Sequence, residues 1–240
     1  MAFDNDTQTT LDTGSRAKAT EIDQGLRAYM LKVYNYMASG LVLTGVVAMA
    51  TSQSEGLMQA IYGTPLHWVV MLAPFGFIMA LSFGLNKMST STVQALFWAF
   101  AGVMGLSLSY IFLAYTGASI ARVFFITAGT FAGMSLYGYT TKRDLTGFGS
   151  FLMMGLIGLL IAMVVNIFLQ STMMHFIISA AGVLIFVGLT AYDTQKIKAI
   201  YSAQDAASTM TKKAIMGALT LYLDFINLFI MLLRLFGERR

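Results

Sequence analysis

The sequence predicts an all-α integral membrane protein with seven transmembrane helices. Of its 240 residues, 57% are hydrophobic and 11% are charged, whereas soluble domains carry about 25% charged residues. The apolar residues also form seven long, continuous runs. Lipid-exposed backbone satisfies its own hydrogen bonds only in helices or closed barrels. Barrel strands would be about half as long as these runs and would alternate in polarity, so helices are favoured.

Seven segments are long enough to be the predicted spans, since a helix needs about 20 mostly apolar residues to cross the hydrocarbon core. In chain order they are 33–51, 68–85, 93–115, 123–140, 148–169, 173–192 and 214–233. Residues 1–28 are polar and are predicted to form a disordered cytoplasmic tail. Residues 29–240 are predicted to form a single seven-helix transmembrane domain, because no linker divides them.

The basic residues lie at the ends of the apolar runs and indicate the orientation. With a cytoplasmic N-terminus and seven crossings, eleven lysines and arginines fall on the inner side and four on the outer side, as the positive-inside rule favours. Three of the outer four, Arg234, Arg239 and Arg240, follow the last run. A re-entrant seventh helix would place these inside too, but we prefer seven crossings. The net charge of +4 is therefore a topology signal and does not indicate a nucleic-acid partner.

Several kinds of catalytic site are excluded or unsupported by the composition. The chain has no cysteine, which excludes disulfides, thiol nucleophiles and Cys-based metal sites. Neither a Gly-x-Ser-x-Gly nor a His-Glu-x-x-His motif occurs, so serine and zinc hydrolysis are unsupported. We expect no catalytic residue and no cofactor.

Two of the eleven acidic residues fall in the predicted spans or at their ends: Asp193 at the inner end of the sixth and Asp224 inside the seventh. Asp224 lies eleven residues after Lys213, about 16 Å along a helix, near the middle of the bilayer. A charge there against lipid costs at least about 2.5–3.5 kcal/mol. Asp224 is therefore expected to be protonated, paired or next to a cavity. Asn227 shares its helix face.

A contact between the two aspartates is geometrically possible, because the sixth and seventh helices are consecutive and antiparallel. Two close carboxylates do not both ionise at low cost, so such a pair titrates as a unit. It could share a proton, or bind calcium weakly, since two carboxylates supply few of the oxygen ligands that calcium prefers. The alternatives are structural: Asp193 bonded to backbone or lysine at the interface, and Asp224 in a protonated interhelical hydrogen bond.

Two segments carry a family resemblance: GLTAYDTQKIK over 188–198 and GALTLYLDFINLFIMLLRLFG over 217–237. Both closely resemble hallmark segments of the Bax inhibitor-1 (transmembrane Bax inhibitor motif) family. The segments SIARVFFITA over 119–128 and YGYTTKRDL over 137–145 are similar to its bacterial members. The similarity covers roughly residues 29–237.

The resemblance implies a fold in which the last helix is central and wrapped by the other six, in the inner (plasma) membrane of a bacterium. It implies a pH-sensitive calcium leak in which Asp193 and Asp224 form the pH sensor and calcium is the transported ion. Some members tether this pair to a basic residue near the inner end of the second helix. The candidate in this sequence is Lys87.

Two other functions are weighed against the leak. The resemblance also allows an interaction protein that modulates a membrane-bound protease, with a cytoprotective role in stress, contacted through residues 1–28. The remote alternative is an intramembrane aspartyl protease. In such proteases the second aspartate normally follows Gly-x-Gly, whereas here the match is Leu221-Tyr-Leu-Asp224, and no Pro-Ala-Leu segment follows.

Overall fold

The fold consists of helices that run up and down a bundle. A computed structural model describes residues 5–240, with side chains placed from Asp23 onward. Its helices are α1 (Asn5–Ser52), α2 (Glu55–Tyr62), α3 (Leu66–Gly84), α4 (Thr90–Leu108), α5 (Ile111–Ala114), α6 (Gly117–Thr140), α7 (Thr146–Leu169), α8 (Thr172–Ala199) and α9 (Ala207–Phe236). Between residues 5 and 240 the only β-type pairing is an isolated bridge between Tyr115 and Arg239. The all-α prediction is confirmed.

Seven spans in the described part of the chain are long and apolar enough to cross a bilayer. They are α1 from Asp23, α3, α4 with α5, α6, α7, α8 and α9, and they match the seven predicted segments. The sixth predicted helix is α8, and the seventh is α9. The helices extend past the apolar runs and include polar residues at their ends.

One short helix, α2, lies in a segment for which no helix was predicted. Ser54 caps its first turn through a hydrogen bond from the Leu57 backbone N–H at 3.4 Å, and Met58 and Ile61 are buried on one face. The hydroxyl of Tyr62 donates to the Leu106 carbonyl oxygen at 3.0 Å. This contact places the end of α2 against the break between α4 and α5.

The N-terminal boundary of the membrane domain differs from the prediction. Helix α1 is continuous from Asn5 to Ser52, so no element ends at residue 28. Residues 23–28 of the predicted tail are helical, and the apolar face of α1 begins with Leu26, which packs against the core just before the buried Tyr29 and Met30. Residues 1–4 of the predicted tail lie outside the described residues, as do the side chains of residues 5–22.

Helix α9 is the centre of the bundle. In its apolar stretch 72% of the residues are buried, against 17–44% in the other six spans. It packs mainly on α1, α4, α6 and α8, while α3 packs on α4 and α7 packs on α8. The prediction of a central last helix is confirmed.

The two ends of the bundle differ in charge. At one, the lysine end, Lys32 on α1 donates to the Thr211 hydroxyl on α9 at 2.7 Å, and Tyr29 packs on Tyr201 with ring centroids 5.5 Å apart. Lys196, Lys198, Lys212 and Lys213 also lie near this end. It therefore contains the described start of α1 and the connection between α8 and α9.

The opposite end, the arginine end, holds the C-terminal segment. The backbone N–H of Arg240 donates to the Ala114 carbonyl oxygen at 3.1 Å, and that of Glu238 donates to the Ser119 hydroxyl at 2.9 Å. Arg122 pairs with Glu238 at 3.2 Å. Helix α9 is continuous over 30 residues, about 45 Å, and its two ends lie at opposite ends of the bundle, which favours seven crossings over a re-entrant seventh helix.

The backbones of α6 and α8 approach each other closely at Gly138. A Cβ atom added to Gly138 would overlap the carbonyl oxygen of Ala191 and lie 2.9 Å from that residue's Cα. Only glycine allows the two backbones to come this close. Gly133 is on the same helix and has nothing within 4 Å of such a Cβ, so its missing side chain leaves open space.

Candidate functional site

The side chains of Asp193 on α8 and Asp224 on α9 meet inside the bundle. Near the lysine end, α9 contacts the end of α8 through Lys213, which donates to the Ile200 carbonyl oxygen at 2.9 Å. Counted from that contact, Asp193 is about 10 Å deep and Asp224 about 16 Å deep. Helical side chains lean toward the N-terminus of their helix. Because α8 and α9 are antiparallel, the two aspartates lean toward each other, and their carboxyl groups are close enough to interact.

The environment of the pair is asymmetric. Asp224 is only 5% exposed, and its Oδ2 atom has no donor from any other described residue. Asp193 is half-buried, and Lys196 is the cation whose charge attracts its carboxyl group. Among residues 23–240 neither carboxylate forms an ion pair, since the recorded pairs are Arg122–Glu238 and Lys213–Asp205.

The threonine hydroxyl groups near the pair in sequence donate to carbonyl oxygens of their own helices. Thr190 donates to Phe186 O at 2.7 Å, and Thr194 donates to Thr190 O at 2.7 Å. On α9, Thr220 donates to Met216 O at 3.1 Å. These hydroxyl protons are therefore not available to the carboxylates.

A chain of hydroxyl groups connects three helices beside Asp193. Tyr34 on α1 bonds Ser135 on α6 at 2.6 Å, and Ser135 bonds Thr194 on α8 at 2.9 Å. This chain was not predicted from the sequence. The available signal was a serine in the middle of an apolar run, but sequence spacing does not reveal which hydroxyl on another helix it faces.

The supporting residues predicted from the sequence do not join the pair. The side-chain amide of Asn227 donates to the Leu223 carbonyl oxygen of its own helix at 2.9 Å. Lys87 is exposed and forms no ion pair with either aspartate among the described residues. Lys87 lies in the turn after α3, and its role as a tether stays a prediction. The lysine that reaches that turn from α9 is Lys212, which donates to Leu85 O at 3.2 Å.

Calcium binding at the pair stays a prediction. Among the described residues no group of three or more His, Cys, Asp or Glu side chains is placed to hold a metal ion. Calcium takes six to eight oxygen ligands, and the two carboxylates supply at most four of them. Carbonyl oxygens or water would have to complete the shell, so any affinity of this site would be weak.

A meeting of two aspartates is also the arrangement of an aspartyl protease, which would need a cavity that brings a peptide to the pair. A groove of about 700 Å³ lies between α1 and α6, and a pocket of about 560 Å³ lies at the arginine end. Neither aspartate lines either of them. These two cavities therefore do not bring a peptide to the pair.

The chain matches a known protein family. A family model described as inhibitor of apoptosis-promoting Bax1 matches residues 26–240. The chain belongs to the Bax inhibitor-1 family. The match covers all seven spans and both aspartates, and it begins inside α1, close to the first residue whose side chain packs on the core. Together with the seven apolar spans, it identifies a multi-pass membrane protein.

Similar proteins occur in several bacteria. The uncharacterized protein RP147 of Rickettsia prowazekii (strain Madrid E) is 51% identical over 231 residues, covering 96% of this chain and 97% of the relative. The inner membrane protein YbhL of Escherichia coli (strain K12) is 47% identical over 219 residues, covering 90% and 94%. An uncharacterized protein of Borreliella burgdorferi is 47% identical over 214 residues, covering 88% and 92%. The similarity therefore extends over nearly the whole length of each protein.

Proposed function

We propose that this protein is a proton-gated calcium leak in the inner membrane of a bacterium, with the lysine end on the cytoplasmic side. One observation carries the proposal: a buried carboxyl group meets a second carboxyl group across α8 and α9, with no cation paired to either within the described residues. The location is supported by the positive-inside rule and by a relative named as an inner membrane protein.

In this proposal the described arrangement of the helices is the closed state of the leak. Between Asp224 and the arginine end, α9 presents Phe225, Leu228, Phe229 and Leu232, all buried. These apolar side chains would block ions along this part of α9. Ions would pass only after α8 and α9 move relative to the helices around them.

The gate works through the sharing of one proton. With one proton on the pair, one carboxyl donates to the other and holds α8 against α9. When the proton leaves, two negative charges face each other in a medium that screens them poorly. Their repulsion shifts the balance towards the open state, and the two carboxylates then attract a divalent cation. A two-state element biased by protonation is an established kind of switch.

The test is calcium flux into dye-loaded liposomes that contain the purified protein, measured from pH 6 to pH 8. We expect wild-type flux to rise with pH. Asp193→Asn and Asp224→Asn keep a hydrogen-bonding side chain that does not ionise, so flux in both variants should be flat and close to the wild-type level at pH 6. Asp144→Asn, a change in an exposed loop, is the matched control and should keep the wild-type profile.

Two results would contradict the proposal. An unchanged pH profile in both Asn variants would remove the pair from the gate. Flux no greater than that of empty liposomes at every pH would favour the alternative, an interaction protein that modulates a membrane-bound protease. In that case the aspartate pair would be an interhelical hydrogen bond.

A further inference from the structure

A groove open to the surrounding lipid separates α1 from α6. Both helices pack on α9, and they diverge enough to leave a volume of about 700 Å³ between them. Phe225 of α9 is part of its lining, and the walls include Met37 and Leu41 on α1 and Ala128 and Phe131 on α6. The volume is within the range of about 300–1,000 Å³ that is typical of ligand pockets.

The length of the groove matches one leaflet of a bilayer. Along α1 it extends from Arg27 to Val42, which is about 22 Å at 1.5 Å per residue. Half of a bilayer with its headgroup layers is also about 20–22 Å. Val42 is the midpoint of the apolar run 33–51, so the groove begins at the headgroup level and ends near the bilayer centre.

The charge at the lysine end of the groove is positive. Arg27 lines it, and none of its lining residues is acidic. Tyr139 lines it as well, and the Lys198 ammonium group lies 5.0 Å from the Tyr139 ring centroid and donates to the Tyr139 carbonyl oxygen at 2.8 Å. A negatively charged headgroup would find both cations at the depth where phosphates lie.

We propose that this groove binds one acyl chain of an anionic phospholipid of the lysine-end leaflet, with the lipid phosphate at Arg27. The apolar lining recognises the chain, its length selects a single leaflet, and the positive charge selects the headgroup. The proposal rests on the groove alone and does not depend on the calcium leak.

The experiment is native mass spectrometry of the purified full chain with phosphatidylglycerol or phosphatidylcholine added at equal concentrations. We expect one bound lipid and a preference for phosphatidylglycerol. One positive charge near a membrane surface contributes roughly 1 kcal/mol, so Arg27→Gln should weaken phosphatidylglycerol binding about fivefold and leave phosphatidylcholine binding unchanged. The matched control is Arg143→Gln, an exposed arginine at the same end but outside the groove.

A second pair of variants tests the position of the acyl chain. Ala132 is exposed and lines the groove, so Ala132→Trp should fill it and lower the occupancy of the bound lipid at least about tenfold, since the bulky ring takes the space of the acyl chain. Ala121 is exposed on the same helix but outside the groove, and Ala121→Trp should bind as wild type does. Equal binding of both lipids by the wild type, or undiminished binding by Ala132→Trp, would overturn the proposal. A dimer that carries no lipid would also overturn it, because a second copy would then cover the groove.

Discussion

Replacing Gly138 with alanine should separate α6 from α8 and weaken the packing beside Asp193. The added methyl group would overlap the Ala191 carbonyl oxygen and lie 2.9 Å from the Ala191 Cα. Because both obstacles are backbone atoms of α8, no side-chain rotation relieves the overlap. The helices must move apart by roughly 1 Å, and overpacking of this kind costs about 1–3 kcal/mol.

The movement also reaches the chain of hydroxyl groups. Ser135 and Thr194 are 2.9 Å apart, so a separation of roughly 1 Å takes them beyond hydrogen-bonding distance. Such a bond within a membrane contributes about 0.6 kcal/mol on average. Alanine recovers about 0.8–1.0 kcal/mol of helix propensity relative to glycine. The net loss of unfolding free energy should therefore be about 1–3 kcal/mol.

The measurement is the free energy of unfolding in detergent micelles, followed by circular dichroism as a denaturing detergent is added. Gly133→Ala is the matched control, because a Cβ atom at Gly133 has nothing within 4 Å. That variant should be stabilised by up to about 1 kcal/mol through propensity alone. Equal shifts of the same sign in the two variants would refute the reasoning, since only Gly138 lies at a backbone contact.

Two further predictions concern residues near the lysine end. The hydroxyl and backbone N–H of Thr146 donate to Asp144 Oδ1 at 2.6 and 2.9 Å and lower the pKa of this exposed carboxyl below its ordinary 3.8. The stabilisation that the ionised Asp144 carboxylate gives the fold is therefore present above pH 3.8 and is lost as the pH falls through the lowered pKa. Thr146→Val removes the hydroxyl donor, so it should raise the midpoint of a carbon-13 NMR titration of Asp144. Lys213 pairs with Asp205 at 2.6 Å, so Lys213→Met should speed amide hydrogen exchange in the α8–α9 connection up to about fivefold, and Lys87→Met should not. A raised titration midpoint in wild type, or equal exchange in the two lysine variants, would contradict these predictions.

The spans could be predicted from the sequence because membrane crossing is a one-dimensional property. Each helix must carry its own apolar length and satisfy its own backbone, so seven runs of residues gave seven spans. The short helix α2 was not predicted, since its stability depends on contacts such as that of Tyr62 with the break between α4 and α5. The start of α1 was placed too late because an amphipathic turn has too few apolar residues to form a long run.

Only the two aspartates of the site could be predicted from the sequence, because an ionisable group at membrane depth has a high cost in free energy. Asp193 and Asp224 stand out because ionisable groups at membrane depth are rare and expensive, and the structure brings them together as neighbours. Lys87 was placed by analogy, and its distance from the pair depends on how α3 packs, which no local pattern encodes. The bond from Ser135 to Thr194 and the groove that ends at Arg27 arise from the relative positions of different helices, so they became visible only in three dimensions.

The central position of α9 has a consequence for how the protein is made. The other six spans precede α9 in the chain, so they leave the ribosome and enter the bilayer before the helix on which they pack. Synthesis of the 30 residues of α9 takes roughly 1.5–6 s at 5–20 residues per second, and during this time the middle of the assembly is vacant. The early helices must then be held by lipid, by the insertion machinery or by provisional contacts. Asp193 enters the membrane in that interval without its partner, and the last insertion event both fills the core and completes the aspartate pair.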